Sequence, residues 1–117
     1  MAKVKIYHNP KCGKSRQTLA LLSERNLDIE IVEYLKDVPT AAEIDGLLTA
    51  LGKEPLEVIR TGEARFKELG LTKKDDRSRA EWIKLMSENP ILIERPIVVN
   101  GGKAALGRPP ESVIAIL

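Results

Sequence analysis

The chain is short of several residue types, and each shortage excludes something. There is one cysteine, so no disulfide can form within the chain and a four-thiolate metal site is impossible. There is one histidine beside it, too few for a His/Cys metal cluster, and no metal is expected. Aromatic residues make up 3% of the chain (Tyr7, Tyr34, Phe66 and Trp82). Stacking platforms for single-stranded nucleic acid need more, so no nucleic-acid partner is expected. No apolar run nears the roughly 20 residues that span a bilayer, and MAKVKIYHNP lacks the apolar stretch of a secretory signal. The expectation is a cytoplasmic protein in a reducing compartment, with no membrane partner.

What is present is globular in balance: 117 residues, 43% hydrophobic and 31% charged. A chain of this size buries roughly 60–70% of its unfolded surface, enough for one core without staples. One domain over 1–117 is the expectation. The net charge of +2 conceals a pattern. Residues 1–23 carry Lys3, Lys5, Lys11, Lys14 and Arg16 with no acid, residues 24–57 carry nine acids against three bases, and the remainder is mildly basic. The N-terminal segment therefore has a local positive field suited to a small anion.

Val4, Ile6 and His8 alternate with Lys3, Lys5 and Tyr7, which predicts a strand over Lys3–His8, stopped by Asn9-Pro10. Good helix formers run from Gly13 to Glu24, with Asn26 as the stop, and Ile29, Ile31 and Tyr34 alternate again. Strand, helix, strand is a βαβ unit with parallel strands. Thr40-Ala41-Ala42-Glu43 and Ser78-Arg79-Ala80-Glu81 are capping boxes. Ile44, Leu47, Leu48 and Leu51 form a helical stripe that Gly52 closes. Short helices are expected at Pro55–Arg60 and Ala64–Leu69, and the second capped helix runs to Asn89-Pro90. Residues 40–89 thus read as a helical insertion. Ile97-Val98-Val99, the turn Asn100-Gly101-Gly102 and Lys103–Gly107 make a hairpin, and Pro109-Pro110 opens a last helix. A parallel pair plus an antiparallel hairpin in one sheet suits a thioredoxin-like α/β arrangement, among several candidates.

Cys12 falls between the first strand and the first helix. A free cysteine is usually a small buried hydrophobe. Here Pro10, Lys11, Gly13 and Lys14 flank it, none a core residue, and a thiol at a helix N-terminus meets free N–H groups and the positive end of the dipole. Lys14 and Arg16 add positive charge, so a reactive thiolate is expected. Cys12-Gly13-Lys14-Ser15 has the spacing of C-x-x-C with Ser15 in the second position; the serine can hydrogen-bond a thiolate or be an ordinary first-turn residue, but cannot close a disulfide. A tyrosine-phosphatase loop, C-x5-R, needs Arg at the position of Thr18, and Arg16 is too close. His8 either orients or protonates the loop, or is structural. Arg60, Arg95 and Arg108 are each solvated charges by default; converging on Cys12 they would form a cradle for a tetrahedral oxyanion, which guanidinium forks match.

Three segments carry a resemblance: His8-Asn9-Pro10-Lys11-Cys12-Gly13-Lys14-Ser15-Arg16, then Asn89-Pro90-Ile91-Leu92-Ile93-Glu94-Arg95-Pro96-Ile97-Val98-Val99, then Gly107-Arg108-Pro109-Pro110. In this order they resemble the glutaredoxin-coupled arsenate reductase family. Lys14 stands where the best-known members have Thr, and the chain ends at Leu117, so it resembles a shorter-chain branch. The resemblance implies a thioredoxin-like mixed four-stranded sheet with helices on both faces and a helical insertion. It also implies a cis Pro96, Cys12 as nucleophile, and Arg60, Arg95 and Arg108 on the oxyanion, with His8, Ser15, Arg16 and Pro96 supporting. The implied substrate is arsenate or a related oxyanion. Glutathione is the co-substrate rather than a bound cofactor, glutaredoxin is the partner, and arsenite is the product, as in arsenic resistance. A monomer is expected. The rivals are an Spx-like regulator that binds RNA polymerase and a general glutathione-dependent thiol oxidoreductase.

Overall fold

The computed structural model describes residues 3–117, and these cluster into two compact units, one reaching Asp37 and resuming at Arg95–Leu117, the other Val38–Glu94.

The first unit holds the sheet: β1 (Lys3–Tyr7), β2 (Asp28–Val32), β3 (Ile97–Asn100) and β4 (Lys103–Leu106), in the order β2-β1-β3-β4. β1 pairs parallel with β2 and antiparallel with β3, and β3 with β4 antiparallel. The mixed four-stranded sheet of the thioredoxin-like arrangement is therefore present. Helix α1 (Gly13–Ser23) links the parallel pair, and a 3-10 helix (Pro110–Ile116) ends the chain. Alternation in β1 turns Val4 and Ile6 inward, where they pack with Leu22 of α1, Val98 of β3 and Val113 of the terminal helix, all essentially solvent-free. β1, β2 and β4 each end slightly earlier than their patterns suggest, whereas β3 runs on to Asn100, which the pattern places in the turn. β1 stops at Tyr7, although His8 N–H still donates to the Val32 carbonyl at 2.8 Å. β2 stops at Val32 because the chain then turns, with the Lys36 and Asp37 N–H groups on the Glu33 carbonyl. The last helix is 3-10 throughout; it is one short segment with β-branched Val113, Ile114 and Ile116, which favour an α-helix poorly.

The second unit is helical: α2 (Ala41–Leu51), α3 (Pro55–Val58), α4 (Ala64–Glu68) and α5 (Arg79–Glu88), followed by a 3-10 turn (Pro90–Leu92). Both capping boxes form: the Glu43 N–H donates to Thr40 Oγ1 at 3.2 Å and the Thr40 N–H to Glu43 Oε1 at 3.0 Å, and Ser78 and Glu81 do the same. Gly52 closes α2 in the left-handed region at φ 67°. The core includes Ile44, Leu48, Val58, Met86 and Leu92, and Phe66 stacks on Trp82 with centroids 6.3 Å apart. α3 ends at Val58 rather than Arg60. Ile59 is extended and bridges Ile93, so the Arg60 N–H donates to the Leu92 carbonyl and the Glu94 N–H to the Val58 carbonyl, each at 2.7 Å.

Candidate active site around Cys12

The loop after β1 is closed by its own short-range bonds. Asn9 Oδ1 accepts from the Lys11 N–H at 3.0 Å and the Asn9 carbonyl from the Cys12 N–H at 3.0 Å, the turn chemistry expected of Asn-Pro. Cys12 is the N-cap of α1 in extended conformation, its carbonyl accepting from the Arg16 N–H at 3.0 Å. The cysteine is free and buried, 8% exposed. Burial raises a thiol pKa, yet that of Cys12 lies below its ordinary value. The N–H groups of Ser15 and Lys14 in the first turn favour the ionised sulfur, and the Arg95 and Arg108 guanidiniums add positive charge.

The two arginines reach this place by sheet register. β3 and β4 pair Ile97 with Leu106 across a two-residue turn, so two steps further out Arg95 stands opposite Arg108. The frame is tied there: the Gly107 N–H donates to the Pro96 carbonyl at 2.9 Å and Arg108 Nη1 to the Arg95 carbonyl at 3.3 Å. Arg95 Nε is buried. The Arg95–Pro96 bond is cis, as the resemblance implies; Arg108–Pro109 is cis as well, which the sequence reading does not anticipate.

Several roles differ from expectation. Ser15 serves the sulfur through its backbone, not its hydroxyl. Ser15 Oγ is fully buried, accepts from the Asn9 N–H at 3.0 Å and shares a hydrogen with His8 Nδ1 at 2.6 Å. His8 is therefore tied into the loop rather than standing apart. Its pKa lies below the ordinary value because burial, joined by the Arg16 charge, outweighs Glu33, so it is neutral near pH 7. The positive charge that favours the ionised sulfur comes from Arg95 and Arg108. Lys14 contributes its N–H, and Arg16 Nη1 braces the loop by donating to the Pro10 carbonyl at 3.0 Å. Arg60 lies in the helical unit, where Nη1 pairs with Glu63 Oε2 at 3.0 Å and donates to the Ile91 carbonyl at 3.4 Å.

Sequence reading misses Thr18. It is fully buried, its Oγ1 donates to the Lys14 carbonyl at 2.8 Å, and it closes on Gly107 so tightly that a Cβ there would stand 2.5 Å from Thr18 Oγ1 and 2.7 Å from Pro96 Cγ. The available signal was a glycine, Gly107, directly before the Arg108-Pro109 pair. Among the described residues no cluster of three or more His, Cys, Asp or Glu side chains is arranged to hold a metal ion, and no helix is long and apolar enough to cross a membrane.

A cysteine at a helix start whose thiolate two arginines favour coincides with a family match over residues 7–116. The chain belongs to the ArsC family. It is 48% identical over 115 residues to the uncharacterized protein YfgD of Escherichia coli (strain K12), covering 97% of this chain and 96% of that one. It is 45% identical over 113 residues to an arsenate reductase of Haemophilus influenzae, covering 96% and 97%. Among solved structures, an arsenate reductase from Vibrio cholerae superposes with a TM-score of 0.94 at 44% identity, over 99% of this chain and 98% of that one. Fold and family are thus those that the three sequence segments imply.

Proposed function

We propose that this ArsC-family protein is a glutathione- and glutaredoxin-dependent arsenate reductase with Cys12 as nucleophile. The observation that carries the reading is the joint action of the α1 N-terminus, Arg95 and Arg108 on one thiol. The arsenate reductases among its relatives support the substrate. The Cys12 thiolate attacks arsenate, forming an S–As bond as one oxygen leaves as water. Arg95 and Arg108 stabilise the charge on the remaining oxygens, and a preorganised guanidinium is suited to this because its fork needs no rearrangement. Ser15 and His8 hold the loop: the Oγ–Nδ1 contact and the Asn9 N–H fix the first turn so that its free N–H groups face the sulfur.

Without a second cysteine the adduct has no internal resolving thiol. Glutathione thiolate attacks the Cys12 sulfur and the S–As electron pair passes to arsenic, leaving arsenite and a Cys12–glutathione disulfide. Glutaredoxin then removes the glutathione and restores the thiolate. The test is arsenate-dependent NADPH oxidation with glutathione, glutaredoxin and glutathione reductase present. Turnover is expected only with the full set and is lost in Cys12→Ser. Full activity with thioredoxin and no glutathione refutes the cycle. The Spx-like reading gives no arsenate-dependent turnover at all, and a general thiol oxidoreductase turns over a disulfide substrate but not arsenate.

A further inference from the structure

A depression beside the catalytic loop has no part in holding the oxyanion. It lies at the carboxyl ends of the parallel strands β1 and β2, lined by residues 8–11 after the first and by Glu33, Leu35 and Lys36 after the second, with a volume of about 250 Å³. A single arsenate ion needs far less room. The volume falls just below the roughly 300–1,000 Å³ of pockets that enclose drug-sized molecules, which suits a short peptide lying partly in the open. Pro10 and Leu35, the latter 41% exposed, give the depression an apolar part. Its charges are Lys11, Lys36 and Glu33. Lys36 Nζ stands 3.8 Å from Glu33 Oε1 in a solvated pair that holds little energy and yields readily to a ligand.

We propose that this depression seats the reducing thiol as a small peptide with two carboxylates and one ammonium group, which in the cycle above is glutathione. The proposal rests on the reductase reading. Lys11 and Lys36 attract the carboxylates, Glu33 the ammonium, and Pro10 and Leu35 the methylenes between them. Lys11 lines the depression and directly precedes Cys12, and the turn that closes Asn9 onto Cys12 joins the depression to the nucleophile's loop.

The experiment titrates S-methylglutathione, which cannot form a disulfide, into the ¹⁵N-labelled full chain. Saturable amide shifts are expected at Lys11, Leu35 and Lys36. Lys36→Glu is expected to weaken binding by about fivefold, the scale of losing one solvated ion pair and gaining a repulsion. Lys11→Glu serves as the second variant should the first fold poorly. In turnover both raise the KM for glutathione while kcat at saturating glutathione holds. Shifts confined to other residues, no saturable shifts, or binding unmoved by both reversals overturns the proposal. Absence of arsenate-dependent turnover in the unmodified chain instead overturns the reductase reading, and the probe titration still decides whether the depression binds this peptide.

Discussion

Gly107→Ala should be among the more damaging single-methyl additions in this chain. Gly107 is not in the left-handed region, so alanine meets no backbone penalty and the cost is steric alone. The new Cβ would lie 2.5 Å from Thr18 Oγ1, 2.7 Å from Pro96 Cγ and 3.1 Å from Thr18 Cγ2. None of these can rotate away. Thr18 is fully buried with its hydroxyl bonded to the Lys14 carbonyl, and Pro96 is a ring, tied to Gly107 itself through its carbonyl. Relief requires α1 or the strand entry to shift, and overpacking of this kind costs about 1–3 kcal/mol. For a chain of this length that lowers Tm by about 3–18 °C, read by circular dichroism. Thr18→Ala removes two of the three clashes, so the double variant should recover about 1 kcal/mol relative to additivity. Gly46→Ala is the control: it is exposed within α2 with nothing within 4 Å of the added methyl, and should raise stability by about 0.5–1 kcal/mol. A Gly107→Ala protein as stable as the parent, or no coupling to Thr18, refutes the close approach.

Titration of the Cys12 thiolate by ultraviolet absorbance should show a pKa below that of free cysteine, raised by Arg95→Ala and, to a smaller extent, by Arg108→Ala; an unmoved value in Arg95→Ala denies the electrostatic account. Arg95→Lys should keep much of that effect while raising the arsenate KM, because a point charge cannot reproduce the fork. Thr40→Ala and Ser78→Ala each remove one side of a capping box and should cost about 1 kcal/mol in urea unfolding. His8 has a folded pKa below its unfolded value of about 6.5, so the unfolded chain binds its proton first as pH falls. Stability should therefore drop below about pH 6.5 and level off under the folded pKa, and His8→Asn should flatten that part of the urea-midpoint profile.

Local chemistry was legible where it acts locally. Asn9-Pro10 and Thr40-to-Glu43 specify their turn and cap from within a few residues, and both form. The α3 boundary was not legible. Leu56 to Ile59 reads as helix, but Ile59 is drawn into an extended bridge by Ile93, a partner 34 residues away, and tertiary pairing overrides a four-residue propensity. Likewise the roles of Lys14 and Arg16 were assigned by nearness in sequence. At a helix start, successive side chains radiate in different directions, and Arg16 Nη1 is engaged by the Pro10 carbonyl.

The convergence of Arg95 and Arg108 follows from a hairpin turn one residue shorter than the sequence pattern suggests. Asn100, which the pattern places in the turn, joins β3 instead, leaving Gly101-Gly102 as a two-residue hairpin turn, and such a turn fixes the register of both strands. With Asn100 paired to Lys103, every later pair is determined, and Arg95 must fall opposite Arg108 if the strands hold their course to Pro96 and Gly107. The β1–β3 register then carries this end of the hairpin to the end of β1, where Tyr7 pairs with Ile97 and the loop bearing Cys12 begins. A one-residue insertion at Gly101-Gly102 would slip the register and turn one strand's side chains to the opposite face. Such an insertion should therefore raise the Cys12 pKa although it lies at the far end of the hairpin, while an insertion in the Lys73–Asp76 loop of the helical unit should leave it unchanged. Equal thiol titrations in parent and hairpin insertion would mean that the arginines are positioned by something other than the strand pairing.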